Sequence, residues 1–368
     1  MATTSIKLGS GALLAILLLA GFGIFVSAPD GSDDGAFEQA SPEAAIFDTL
    51  ISRSQEAAFE QLSGPWTLSL PEDHSGHSAA RSETWGLLVH LGDETSPPIG
   101  LQFSMTRLGL IPENGDAKSA TDRAVYRAHA ILTDASTGQV IAEERLSRDL
   151  GAAGHDPGNV WLDDWHYSID RESGALTLVL SFREAELPVS LAFSPEKPAS
   201  QSTAEQGIRG YSIPRLTVSG HIGDKAVNGL ASLTHFWGDV PLPGGATASD
   251  ILSLQLSDDT DLSLIRTVRR DGRGPAVLDG AVSMPGGETQ PIDDGRYSVA
   301  PSEDGSSDQV VWIISGPNLE LEATSLLAED HDAFAFNFSS ALLKVTGTKN
   351  GQSVEGLGTL QRNGYEEQ

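Results

Sequence analysis

His235 and Trp237 stand two residues apart in "GLASLTHFWGDVPLPGG" (229–245), at the end of an apolar run. On an extended chain, residues i and i+2 share a face, so the imidazole and the indole look the same way. An imidazole gives or takes a proton near neutral pH, and an indole face attracts positive charge. Such a pair suits proton transfer to an apolar molecule that passes through a cation. It suits equally a packed barrel end, with a hydrogen-bonded buried His and Trp237 as a plug.

Other residues could do chemistry. "DHSGH" (73–77) gathers Asp73, His74 and His77 in one loop. These are metal-ligand types, but no fourth ligand is nearby in the sequence, and no metal or other cofactor is expected. "WLDDWHY" (161–167) reads as a strand in which Trp161 and Trp165 pack in the core; Asp164 and Trp165 are candidates to meet a ligand. Tyr211, before Pro214 and Arg215, could donate a hydrogen bond to one. Glycine sets such as "GLGTL" lack the strand–loop–helix context of a phosphate loop, and Gly-x-Ser-x-Gly is absent.

The elements that must position these residues are strands. From Trp66 onward the chain alternates in short runs broken by Gly, Asp, Asn and Pro, which predicts an all-β barrel or sandwich. "ALTLVLSF" (175–182) puts Leu176, Leu178, Leu180 and Phe182 on one face. "ILSLQLSDDTDLSLIRTV" (251–268) reads as two strands around a polar turn, and "GDK" (223–225) and "KNG" (349–351) as hairpin turns. "SPEAAIFDTLISRSQEAAFEQL" (41–62) reads as an amphipathic helix with Ser41 as N-cap.

One hairpin occurs twice. "LTVSGHIGDKAVNGLASL" (216–233) and "LKVTGTKNGQSVEGLGTL" (343–360) share Leu, Val, Gly, Val, Gly and Leu at a constant offset without a gap. Glycines in such strands suit the bends that barrel closure requires. The repeat predicts two related antiparallel β-barrels, over 63–238 and 239–368. After it, the first copy continues Thr234-His235-Phe236-Trp237 and the second Gln361-Arg362-Asn363-Gly364. His235 and Trp237 are therefore not simply how this hairpin ends.

Composition limits the partners. Lys plus Arg number 23 and Asp plus Glu 51, a net charge of −28, which repels nucleic acid and anionic membrane surfaces. There is no cysteine, so disulfides and thiolate sites are excluded. Lys7 precedes an uncharged stretch whose Leu8–Val26 segment is long enough to span a bilayer, and acidic residues follow it. That predicts a signal anchor over 1–28, or a signal cleaved after Ala28, and a linker with the amphipathic helix over 29–62. The remainder then faces the periplasm, tethered to the inner membrane.

The segments together resemble the family of AttH-like lipocalin proteins and carotenoid 1,2-hydratases (hydroxyneurosporene synthases). The resemblance rests on "LPEDHSGHSAARSETWGLLVHLG" (70–92), "IGLQFSMTRLGL" (99–110), "VWLDDWHYSID" (160–170), "GYSIPRLTVSGHI" (210–222) and "VNGLASLTHFWG" (227–238). It implies two lipocalin-like barrels side by side, and activities that include adding water to a terminal carotenoid double bond. It matches His235, Trp237, Gly238, Glu83 and Trp85. It departs at Thr234 and Phe236, where the family carries acidic residues, and at Thr84 and Gly86. The expected function is binding of a hydrophobic small molecule (a lipid, isoprenoid or carotenoid), with Trp85, Asp164, Trp165 and Tyr211 as ligand contacts. An alternative is a cofactor-independent lyase in which His235 with Asp73 or Glu83 handles the proton and Trp237 steadies the cation. A further alternative is an accessory protein of an ABC-type exporter.

Overall fold

The computed structural model describes Leu50, Ser54, Phe59 and residues 62–365, apart from 93–97, 113–122, 149–150, 202–206, 240–246, 293–294, 303–308 and 328–337. The anchor expected over 8–26, the linker and most of the amphipathic helix lie outside the described residues. Leu50 and Ser54 are helical. Leu50 packs on Leu108, Leu110 and Val125, and the Ser54 hydroxyl donates to the Gly109 carbonyl at 2.5 Å. No helix among the described residues is long and apolar enough to cross a membrane.

Alternating sequence becomes two antiparallel sheets. The first opens with β1 (Ser82–Leu91), β2 (Ile99–Gly109), β3 (Ala124–Asp134) and β4 (Gln139–Arg148). Short strands follow: β5 (Ala153–Asp156), β6 (Asn159–Leu162), β7 (Trp165–Ile169) and β8 (Leu176–Phe182). It ends with β9 (Leu187–Pro195), β10 (Ser200–Gln201), β11 (Ile208–Ile222) and β12 (Lys225–Gly238). The hydrogen-bonded order β4-β3-β2-β1-β12-β11-β9-β8-β7-β6-β5 curls into a nearly closed barrel. Leu176, Leu178, Leu180 and Phe182 all enter its core, as the alternation requires.

The second sheet comprises β13 (Thr247–Leu256), β14 (Asp261–Arg269), β15 (Val277–Ser283), β16 (Thr289–Pro291) and β17 (Ser298–Pro301). It continues with β18 (Val311–Gly316), β19 (Leu319–Ser325), β20 (Phe338–Lys349) and β21 (Gln352–Asn363). Its order, β16-β15-β14-β13-β21-β20-β19-β18-β17, makes a half-barrel. This corrects the expectation of two complete barrels. The second sheet has fewer strands, nine against twelve.

The duplicated hairpin is β11–β12 in one sheet and β20–β21 in the other. Its register is the same in both: Leu216 faces Ala231, Val218 faces Gly229 and Gly220 faces Val227. Leu343, Val345 and Gly347 face Gly358, Gly356 and Val354. The glycines serve close backbone approach. A Cβ on Gly220 would meet the Ser190 carbonyl oxygen at 2.1 Å, and one on Gly347 the Glu320 carbonyl oxygen at 2.1 Å.

Side chains tie the β4 edge of the first barrel to the β6–β7 turn and to β8. Arg145 on β4 bonds Glu143 at 2.8 Å, the Asp164 carboxylate, and the Ser181 carbonyl at 2.9 Å. Its guanidinium lies 4.3 Å from the Trp165 ring. Between the two sheets, Arg215 and Lys197 of the first sheet's half clasp the buried Asp261 of β14 at 2.8 and 2.6 Å. Ser232 and Ser253 hydroxyls meet at 2.9 Å beside a crevice of about 20 Å³ that also touches Thr234.

Candidate functional site

The site sits at one end of the first barrel, where three neighbouring strands turn the same face inward. Glu83 on β1 lies opposite Trp237, and Trp85 opposite His235, on β12. On the far side of β12, Tyr211 of β11 lies opposite His235. Leu87, Leu233 and Ile213 continue this face into the core, so the alternation carries all five residues inward. The opening loop covers them. A 3₁₀ turn over Glu72–His74 leads into it, and Arg107, across from Glu83 on β2, holds it in place. The buried guanidinium donates to the carbonyls of Ala80 at 3.0 Å and Ser78 at 3.1 Å.

At the centre is Glu83, whose side chain is fully buried. Its Oε1 lies 2.7 Å from His77 Nδ1 and 2.8 Å from His235 Nε2, and its Oε2 accepts the His77 main-chain N–H at 2.7 Å. Burial pushes the Glu83 carboxyl up, but the hydrogen bonds from His235 and His77 outweigh it, so its pKa falls below the usual carboxylate range. For His235, burial lowers the pKa, and the Glu83 carboxylate pulling the other way does not fully offset it. The result is an ionised carboxylate bridging two imidazoles at the barrel end.

Rings fix the imidazoles. The Trp237 indole stacks on His77 with centroids 3.9 Å apart and planes 3° apart. Trp85 stacks on His235 at 4.9 Å, and Trp66 meets Trp237 edge-on at 5.3 Å. His74 turns away from Glu83: its Nε2 is 2.8 Å from the Tyr167 hydroxyl. Burial, then the neighbouring His235, holds the His74 pKa well below the ordinary imidazole value, while burial raises that of Tyr167. The His74, Tyr211 and His235 rings lie within 6.1 Å of one another. Each carries a buried polar atom without a hydrogen-bond partner of normal geometry: His74 Nδ1, Tyr211 Oη and His235 Nδ1.

Thus the structure brings together His235, Trp237, Glu83, Trp85, Tyr211 and, on the loop, Asp73, whose Oδ1 is 3.6 Å from His77 Nε2. It does not bring Asp164. "WLDDWHY" is two strands, with Leu162 opposite Trp165, so Asp163 and Asp164 form the turn between them. Asp163 has the positive φ, 56°, that such a turn takes. Asp164 is half exposed and bound to Arg145 and to the Ser181 hydroxyl. Trp165 is a core residue whose indole N–H donates to the Ser181 carbonyl at 2.9 Å. His77 was visible in the sequence only as a loop ligand type, and Tyr167 and Arg107 carried no signal there.

Thr234 and Phe236, where the sequence departs from the family pattern, lie on the other face of β12. Thr234 borders the crevice between the sheets, and the Phe236 ring lies over Gly210. These departures leave the inward cluster intact. A family model described as AttH-like matches residues 61–365. The chain belongs to the AttH-like family. Among solved structures, an AttH protein from Nitrosomonas europaea aligns over 84% of this chain and 100% of its own, at 22% identity and a TM-score of 0.67. Kievitone hydratase from Nectria haematococca aligns over 83% of this chain and 96% of its own, at 10% identity and a TM-score of 0.55. Both likenesses show the fold that this AttH-like chain adopts, a lipocalin-like one. No curated protein sequence matches the chain.

Proposed function

We propose that this AttH-like protein binds an apolar, unsaturated small molecule at the aromatic end of its first barrel and adds water to a carbon–carbon double bond. The observation that carries the reading is the Glu83 carboxylate, fully buried and shared between His77 and His235. A proton carried on an imidazole that this carboxylate orients can be delivered to an alkene carbon, with the indole faces of Trp85 and Trp237 stabilising the cation that results. A water bound at the His74–Tyr211 side then closes the second bond and returns its proton to the cluster. A protein of the same fold that bears the name of a hydratase is consistent with this chemistry. The isoprenoid or carotenoid class of the substrate rests on the sequence resemblance. The test is incubation of the full chain with acyclic polyenes and isoprenoids, followed by mass spectrometry for the gain of one water. Glu83→Gln should cut turnover at least ~100-fold, the lower end for an acid–base group, and leave binding of a fluorescent apolar probe intact. Absence of a hydrated product across the panel would sink the lyase.

Binding without turnover is the second reading. It is favoured by the mutual satisfaction of Glu83, His77 and His235, which leaves no proton donor of this trio facing an open cavity. The carrier retains probe binding in both the wild type and Glu83→Gln. The uncharged segment over 8–26 supports an inner-membrane tether facing the periplasm, whereas a role beside an ABC-type exporter rests on the family resemblance alone.

A further inference from the structure

We infer that His77, Glu83 and His235 form a binding site for one divalent transition-metal ion of the zinc class. The ligand atoms are His77 Nδ1, Glu83 Oε1 and His235 Nε2, all within 4.8 Å of one another. Two imidazoles and one carboxylate are a common three-ligand set that leaves a coordination position open, and its nitrogen and oxygen donors suit zinc, cobalt or ferrous iron. The surroundings point the same way. Metal-bound imidazoles usually have their other ring nitrogen oriented by an acceptor. Here the Asp73 carboxylate lies 3.6 Å from His77 Nε2. Glu83 is likewise held, through its second oxygen, by the His77 main-chain N–H.

Both imidazoles aim one nitrogen at the same Glu83 oxygen, and the outer nitrogen of His77 faces the Asp73 carboxylate. A cation between the three inner atoms takes a lone pair from each ring and leaves each ring's proton on its outer nitrogen. Small movements suffice. The inner contacts are 2.7 and 2.8 Å, whereas ligands about 2.0–2.1 Å from a tetrahedral ion stand roughly 3.3 Å apart. Entry is from the loop side, where the His77 and Asp73 side chains are about a quarter exposed (24% and 22%) while Glu83 and His235 are fully buried. The rings of Trp237 and Trp85, stacked on the two imidazoles, keep them in position through the exchange. The ion and the shared proton are alternative occupants of one site. Metal binding stands independently of the hydration chemistry, since its readout uses no substrate.

The experiment is titration of the full chain, stripped with a chelator, with Co²⁺ followed by its visible d–d absorption, and then displacement with Zn²⁺. One Co²⁺ per chain, bound at micromolar concentration or tighter and displaced by Zn²⁺, is expected. His77→Ala should abolish the signal, and Asp73→Asn should weaken it about 10–100-fold, as loss of an orienting partner does. Thermal melts establish that both variants are folded; both side chains are partly exposed, so little burial is lost. No absorption with the wild type overturns the inference, as does a His77→Ala variant that binds as the wild type does. A proposed-function failure, by contrast, would show as absent hydration with the cobalt signal intact.

Discussion

Two ends of the duplicated hairpin hold the same kind of object in different chemical currencies. In the first barrel, His235 follows the repeat, lies opposite Trp85, and shares the buried Glu83 with His77. In the half-barrel, the position 127 residues later is Arg362, which lies opposite Asp250. Asp250 is fully buried and clasped by Arg362 at 3.3 Å and Arg266 at 2.7 Å, with the Tyr365 hydroxyl donating to it at 2.7 Å. Both ends thus bury one carboxylate between two cationic-type side chains. Guanidinium keeps its proton at any physiological pH, so the second cluster is a fixed structural clasp. Imidazole exchanges its proton or offers a lone pair, so the first cluster can do chemistry. Duplication supplied the geometry, and the side-chain type decided the use.

The largest way to test this contrast is to remove each carboxylate. Asp250→Asn leaves two arginines without their counter-charge and should cost about 3–5 kcal/mol in urea unfolding of the full chain. Glu83→Gln leaves imidazoles that can become neutral and should cost about 1–3 kcal/mol. Equal losses would erase the distinction between clasp and chemical site. A smaller effect concerns the shared hairpin itself. Gly220→Ala and Gly347→Ala each place a methyl 2.1 Å from a facing carbonyl oxygen, so both should lose about 3 kcal/mol, near the upper end for overpacking. If one is tolerated and the other is not, the two hairpins are not equivalent.

The smallest effect separates the halves by pH. His90 on β1 lies opposite Leu230, and the matching place in the half-barrel, opposite Leu357, is Gln255. Burial, with Arg215 adding to it, lowers the His90 pKa to about 4 from its ordinary 6.5. The unfolded chain therefore binds the proton first, and stability that is full above pH 6.5 declines as pH falls toward 4. At pH 5 the loss attributable to His90 is about 2 kcal/mol. His90→Gln should remove it, so that urea midpoints at pH 8 and pH 5 differ less than in the wild type. An unchanged difference would show that the acid sensitivity lies elsewhere.

Much of this is legible in the sequence alone. Alternation and turn residues marked the strands, and the gapless repeat fixed a hairpin register that the two sheets share. Spacing of i, i+2 paired His235 with Trp237, the family resemblance marked Glu83 and Trp85, and Tyr211 stood out only as a possible hydrogen-bond donor; the strand register puts all five on one inward face. The rule failed at Asp164, where an Asp-Asp turn interrupts what reads as one run. Arg107 and Tyr167 stayed invisible for a different reason. Their roles depend on which strands become neighbours, and on a loop folding back over them, neither of which local pattern encodes. The half-barrel was also unreadable, since closure depends on how far the terminal strands curve and not on their composition.

Strand β1 pairs with β12, so the first barrel's earliest and latest strands are zipped together. Glu83 and His235 are 152 residues apart in the chain. Their meeting closes a loop of that length, and the entropy of drawing such distant segments together is lost before their contact returns anything. A chain in which β1 and β12 have not paired, or have paired one residue out of register, lacks the site, so a metal or ligand bound there reports that the barrel has closed.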